Sequence, residues 1–226
     1  MDFKIMSSED FNVILEAQVE LNKKYSGEDW AEKIPKSHFV SALYAELGEL
    51  LESSPRTGDT DTGWKWWKIY LENDVDNMKI EAVDIIHFAM SILILCFEND
   101  IDELKKEYEI LSKEYLDFEV RNIINEYYIS KSKGVSFDLL TSISYFSLCS
   151  MTKTKEDLLN SYMFLKNSLC NYSDMTTEYM LYLYMKKNKL NHERVEGGYT
   201  ESATAYAKID ENGNEDNTKL FLDGKI

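Results

Sequence analysis

Proline occurs twice and glycine nine times in 226 residues, too few to punctuate a fold made of many short strands and turns. Only three cysteines are present, Cys96, Cys149 and Cys170, widely spaced in apolar stretches. That pattern excludes a disulfide framework and a zinc site and reads as buried free thiols. Long hydrophobic runs are missing as well. The longest, near Ile85 to Phe97, is interrupted by His87 and Ser91 and falls short of the ~20 residues that a membrane span needs. MDFKIMSSEDF has no basic region followed by an apolar core, so no export signal is expected and a cytoplasmic location is.

Positive charge is the other deficit. A net charge of −16 argues against a nucleic-acid backbone or an anionic membrane as partner, because both are held by Lys and Arg. An anionic small molecule is still allowed if a divalent metal supplies positive charge locally. With 44% hydrophobic residues the chain can bury a real core. Helix-forming Leu, Glu, Lys, Met and Ala dominate, so the expected fold class is all-α.

Ser7 followed by Asp10 resembles a capping box, and Phe11, Ile14, Leu15 and Val19 recur at helical spacing through Leu21. A second helix is expected after Pro35, with Ser37 as its cap, carrying Phe39, Leu43, Leu47, Leu50 and Leu51 as far as Ser53-Ser54-Pro55. Residues 56–63 read as a loop and Trp64 to Lys68 (WKWWK) as a short aromatic element. A helix from about Asn77 to Glu98 is apolar almost all round in its second half and should be buried. Further helical patterns cover Ile101 to Ser130, Phe137 to Met151, Lys155 to Leu169 and Thr176 to Leu190. From Asn191 onward Gly197, Gly198, Gly213 and Gly224 punctuate a polar tail in which helix is not expected. The organisation is therefore a helical domain over 1–190 and a tail over 191–226.

Glu46 and Glu49 are three apart on one expected helix, and Glu81 and Asp84 are three apart on another, so each pair projects from one face. Leu43, Ala45, Leu47 and Leu50 surround the first pair, and Ile80, Val83, Ile85 and Ile86 the second. For one pair alone a solvated helix face is the simpler reading. Two pairs in apolar helices are different: burying four carboxylates without a partner is prohibitively costly, whereas Mg²⁺ takes such oxygen ligands and keeps waters for the rest of its shell.

These residues resemble the dimeric all-α dUTPase family, which is related to the wider all-α nucleoside triphosphate pyrophosphatases. The resemblance spans most of the chain: LEAQVELN with Gln18 to Asn22, YAELGELL from Tyr44, WKWWK from Trp64, IEAVDIIHFAMSIL from Ile80, and KNKLNHERVEGGY from Lys187 to Tyr199. It implies a multi-helix bundle with an irregular C-terminal tail, and an enzyme that converts dUTP, and dUDP, to dUMP as a homodimer with two or more Mg²⁺ ions. Carried onto matching positions, it makes Glu46, Glu49, Glu81 and Asp84 the metal ligands, with Glu46 orienting or deprotonating the attacking water. Gln18 and Asn22 would read base and sugar, His87 and Phe88 would meet the nucleoside, and Trp67 and Lys68 would belong to the base pocket. Asn191 would add a base contact, and the tail would close over the triphosphate with Lys187, Arg194, Tyr199 and Lys208. Two departures stand out: Val195, where the family pattern has an amide, and a longer stretch from Ser53 to Gly63.

Physics alone offers duller roles. His87 and Phe88 suit a core, Trp64, Trp66 and Trp67 a packing cluster, Lys187 and Arg194 a helix C-terminus, and Gln18 and Asn22 a mutual hydrogen bond. Side-chain amides leave dCTP, or mixed dCTP and dUTP, open as substrate. A catalytically silent helical dimer that binds a regulatory protein is the remaining alternative, resting on Tyr172, Tyr179, Tyr182 and Tyr184 as surface residues and on the acidic charge. No Ser/His/Asp or Cys/His nucleophile set is apparent.

Overall fold

The computed structural model describes residues 5–54, 74–115, 135–200 and 216–222, and every regular element among them is helical. The helices are α1 (Ser8–Ser26), α2 (Trp30–Lys33), α3 (Lys36–Ser53), α4 (Val75–Cys96), α5 (Ile101–Tyr115), α6 (Val135–Thr152), α7 (Lys155–Tyr172) and α8 (Thr177–Glu196). A 3₁₀ turn (Asp216–Thr218) then leads into the four-residue α9 (Lys219–Leu222). Trp67, Lys68 and Lys208 lie outside the described residues, as does the continuation expected for α5 as far as Ser130.

Local chemistry explains most boundaries. Ser7 Oγ accepts from the Asp10 N–H at 3.0 Å, Asp74 from Asn77 at 2.8 Å, Thr154 from Asp157 at 3.1 Å, and Thr176 from Tyr179 at 3.2 Å; each satisfies a donor that a helix start leaves orphaned. The expected cap at Ser37 is incorrect. Pro35 occupies the cap position of α3 with extended backbone (φ −60°, ψ 138°) and no capping side chain, and Ser37 lies inside the first turn, where its carbonyl accepts from Ser41 Oγ.

Helix α8 is the larger correction. It runs past Leu190 to Glu196, because Leu190, Asn191 and Arg194 continue its buried face. Gly198, at φ +86°, ends it: the Tyr199 N–H bonds back to the Arg194 carbonyl at 3.0 Å, a closure that needs the left-handed backbone glycine adopts most easily.

Helix α4 is the axle of the molecule. Fourteen of its residues are buried, and it packs against α1, α3, α5, α6, α7 and α8. Helices α3 and α4 form an antiparallel pair: the Asp74 N–H reaches the Ser53 carbonyl at 3.2 Å at one end, and Lys36 meets Cys96 at 3.4 Å at the other. Helices α1 and α8 run in the same direction, since Ile14 meets Tyr184, Ala17 meets Asn188 and Lys24 pairs with Glu196. Away from the α3 side, Phe11 stacks on Tyr108 with ring centroids 3.7 Å apart. Cys96, Cys149 and Cys170 are free thiols, the first half-buried and the other two buried. Among the described residues no single helix is long and apolar enough to cross a membrane.

The tyrosines expected on the surface are not there as a set. Tyr184 is fully buried, Tyr172, Tyr179 and Tyr182 pack partly buried against the core, and only Tyr179 and Tyr182 stack on each other.

Candidate active site

Between α1, α3, α4 and α8 lies a cavity of about 470 Å³. Its three walls have different chemistry.

The first wall is acidic. Because α3 and α4 are antiparallel neighbours, Glu46 from α3 faces Glu81 and Asp84 from α4, and each offers a carboxylate oxygen within 4.8 Å of the others. Glu49 lines the same cavity but is exposed and stands outside this group of three. Burial, the nearby Asp84 charge and a mutual hydrogen bond push Glu81 up to about 9. Burial and Asp84 raise Glu46 to about 7. Metal-free, the pair therefore shares a proton at neutral pH. The cationic partner at hand is Lys187, whose Nζ donates to Asp84 Oδ2 at 2.7 Å. Three convergent hard oxygen donors that must otherwise hold a proton suit a divalent cation such as Mg²⁺.

The second wall is a hydrogen-bonded floor. Gln18 Oε1 accepts from Tyr184 OH at 2.6 Å and lies 2.7 Å from His87 Nδ1, which makes Nδ1 the protonated ring nitrogen. Gln18 Nε2 donates to Asn22 Oδ1 at 2.9 Å and to Ser91 Oγ at 3.1 Å, and Asn22 Nδ2 donates to Ser91 Oγ at 3.0 Å. Burial lowers His87 to about 4, so the ring is neutral, and its buried Nε2 has no partner. His87 stacks on Tyr184 at 3.9 Å between centroids. An uncharged floor with a bare acceptor nitrogen suits a polar, uncharged heterocycle.

The third wall belongs to α8 and the C-terminal turn. Lys187, Asn191 and Arg194 follow one another at i, i+4 and i+7, so one helix face presents all three. Arg194 is buried and accompanied by Asn191, whose Oδ1 accepts from its Nη1 at 3.0 Å. Tyr199 stands where α8 ends, partly exposed at the cavity.

The structure thus brings Gln18, Asn22, Glu46, Glu49, Glu81, Asp84, His87, Phe88, Lys187, Asn191, Arg194 and Tyr199 around one cavity. Sequence reading missed Tyr25, Ser91 and Asn217, which also line it. Tyr25 was within reach, being one helical turn beyond Asn22 on the face that carries Gln18. Ser91 stands in the same relation to His87. No periodicity pointed to Asn217. Burial raises the Tyr25 phenol to about 12, so it is a hydrogen-bonding hydroxyl and not an anion.

A family model described as dUTPase matches residues 10–199, a span that contains all twelve of the sequence-expected residues around the cavity. No curated protein matches the chain.

Proposed function

Because the chain belongs to the all-α dUTPase family, we propose that it is a Mg²⁺-dependent dUTP diphosphatase that forms dUMP and pyrophosphate, and that also accepts dUDP. The observation that carries this reading is the convergence in one cavity of three carboxylates, two buried cations and an uncharged amide and imidazole floor.

In this reading Glu46, Glu49, Glu81 and Asp84 hold two or more Mg²⁺ ions. Bound Mg²⁺ neutralises phosphate oxygens and lowers the pKa of water at the site. Glu46 orients water for in-line attack on the α-phosphorus and takes its proton. The bond from that phosphorus to the bridging oxygen breaks, and pyrophosphate carries away the electron pair. Lys187 and Arg194 balance charge on the leaving group, with Tyr199 and Lys208 closing the same side. Gln18, Asn22, His87 and Phe88 hold the nucleoside, with Trp67 and Lys68 completing the base pocket. Asn191 directs its carbonyl to Arg194, so its amide N–H is the group it offers to a base carbonyl. No covalent intermediate is required.

The test is pyrophosphate release from a deoxynucleotide panel with Mg²⁺ and with chelator. Mg²⁺-dependent turnover of dUTP above dCTP is expected; turnover of dCTP at least equal to dUTP would move the assignment to a dCTP or mixed pyrophosphatase, and no metal-dependent product would leave the silent helical dimer. Cytosine stays in the comparison because an amide N–H such as that of Asn191 also suits its carbonyl.

The enzyme is further proposed to be a homodimer. Support comes from α6, where Leu140, Tyr145, Leu148 and Met151 are exposed and no charged residue occurs from Leu139 to Thr152, an apolar face on a strongly acidic chain. Light scattering of the wild type and of Leu148→Glu is the check: a dimer that the substitution dissociates is expected, and a monomeric wild type refutes it.

A further inference from the structure

The cations of the third wall are not held by α8 alone. Asp216, from the 3₁₀ turn, grips Arg194 with both carboxylate oxygens: Nε donates to Oδ2 at 3.0 Å and Nη2 to Oδ1 at 2.6 Å. Both side chains are almost wholly buried. Asn217, next in the chain, accepts through Oδ1 from Arg194 Nη2 at 3.0 Å and from Lys187 Nζ at 3.1 Å. The turn is anchored beside this contact, because Leu220 packs with Ile80 and Leu190 and its carbonyl accepts from Lys186 Nζ at 3.0 Å.

Placement decides what Asp216 does. Arg194 and Asn217 line the cavity and Asp216 does not. A carboxylate competing with substrate for the guanidinium would stand in the cavity, where the anion goes. Asp216 instead takes the Nε–Nη2 edge from behind, while the Nη1 edge is held by Asn191, a cavity-lining residue. A two-pronged carboxylate fixes the guanidinium plane as well as its position, and it offsets the cost of burying Arg194 before any substrate arrives.

We propose that Asp216 is a positioning residue for Arg194, orienting the guanidinium so that the remaining Nη1 N–H, on the side of the cavity-lining Asn191, meets the polyphosphate of the substrate. The proposal rests on the functional reading above only for the identity of the anion. The α8 cation wall is therefore completed by a contact across 22 residues of chain, and substrate affinity depends on a residue that does not touch substrate.

A double-mutant cycle tests it, with the full-length wild type, Asp216→Asn, Arg194→Gln and the double variant. Two quantities are read: affinity for inorganic pyrophosphate with Mg²⁺, which needs no turnover, and KM and kcat for dUTP. Asp216→Asn keeps the shape and removes the charge, and should weaken pyrophosphate binding and raise KM by about tenfold, with a smaller change in kcat. In the Arg194→Gln background the same change should add nothing, and Asp216→Glu should restore part of the affinity. The proposal is overturned if the wild type does not bind pyrophosphate, if Asp216→Asn lowers only the melting temperature, or if its effect is undiminished without Arg194. A wild type that binds pyrophosphate but releases none from dUTP instead sinks the proposed function, and the binding cycle still decides the role of Asp216.

Discussion

The floor and the acidic wall of the cavity handle buried polarity in opposite ways. On the floor, Gln18, Asn22, Ser91, Tyr184 and His87 Nδ1 satisfy one another, and one atom, His87 Nε2, is left without a partner. Folding completes that region. On the acidic wall Glu46, Glu81 and Asp84 crowd within 4.8 Å, and folding leaves repulsion that a proton or a cation must relieve. One region is finished when the chain folds, and the other only when a proton or a cation joins it.

The largest effect should come from neutralising the unfinished region. Glu81→Gln is expected to lower kcat/KM for dUTP by roughly 10³-fold, yet to raise metal-free stability at pH 7 by about 1–2 kcal/mol, because the folded chain holds Glu81 protonated, at about 9, where the unfolded chain leaves it ionised. Enzyme kinetics and urea denaturation with chelator measure the two halves. A large stability loss would mean that the carboxylate charge is part of the metal-free fold.

Breaking the finished region should reverse that balance. Gln18→Ala strands His87 Nδ1–H and leaves the Tyr184 hydroxyl and Asn22 Oδ1 only their 3.3 Å bonds to the Ile14 carbonyl and Ser91 Oγ, and should cost about 2–3 kcal/mol of stability, read from the urea midpoint at constant slope.

Acidity separates the regions by sign. The carboxyls Glu46 and Glu81 have folded values of about 7 and 9, above the reference value of 4.5, so the folded state binds extra protons. Their contribution is present below about pH 4.5 and is lost as pH rises through 7 and then 9. His87 has a folded value of about 4, below 6.5, so its contribution is present above pH 6.5 and is lost as pH falls toward 4. Metal-free protein should therefore lose roughly 2 kcal/mol between pH 6 and 9 after allowance for solvent screening, and saturating Mg²⁺ should flatten that slope. Thermal melts across pH with and without metal give the comparison. An identical slope in both would remove the acid cluster as the metal site.

The smallest effect is expected at Ser91. Ser91→Ala removes one shared acceptor while Gln18 and Asn22 keep each other, and should cost about 1 kcal/mol. A cost as large as that of Gln18→Ala would make the serine, not the glutamine, the keystone of the floor.

Much of this was legible in the chain. Apolar periodicity located α1, α3, α4, α6 and α7, and the i, i+3 spacing of Glu46/Glu49 and Glu81/Asp84 put each pair on one helix face. The end of α8 was illegible for a physical reason. Its buried face there carries Asn191 and Arg194, so a helix lining a polar cavity loses the apolar stripe by which a helix is recognised. Trp67, Lys68 and Lys208 lie outside the described residues, and their roles rest on the resemblance alone.

Sequence by itself determined the helical class, the cap at Ser7, and which side chains share a helix face, since these depend on neighbours within a few positions. Tertiary structure decided which faces meet. Glu46 reaches Glu81 because α3 folds back on α4, Gln18 reaches His87 because α1 lies across α4, and Asp216 reaches Arg194 because the chain returns to α8. Such contacts depend on how helices pack, a choice made by the whole core at once and written in no single stretch of residues.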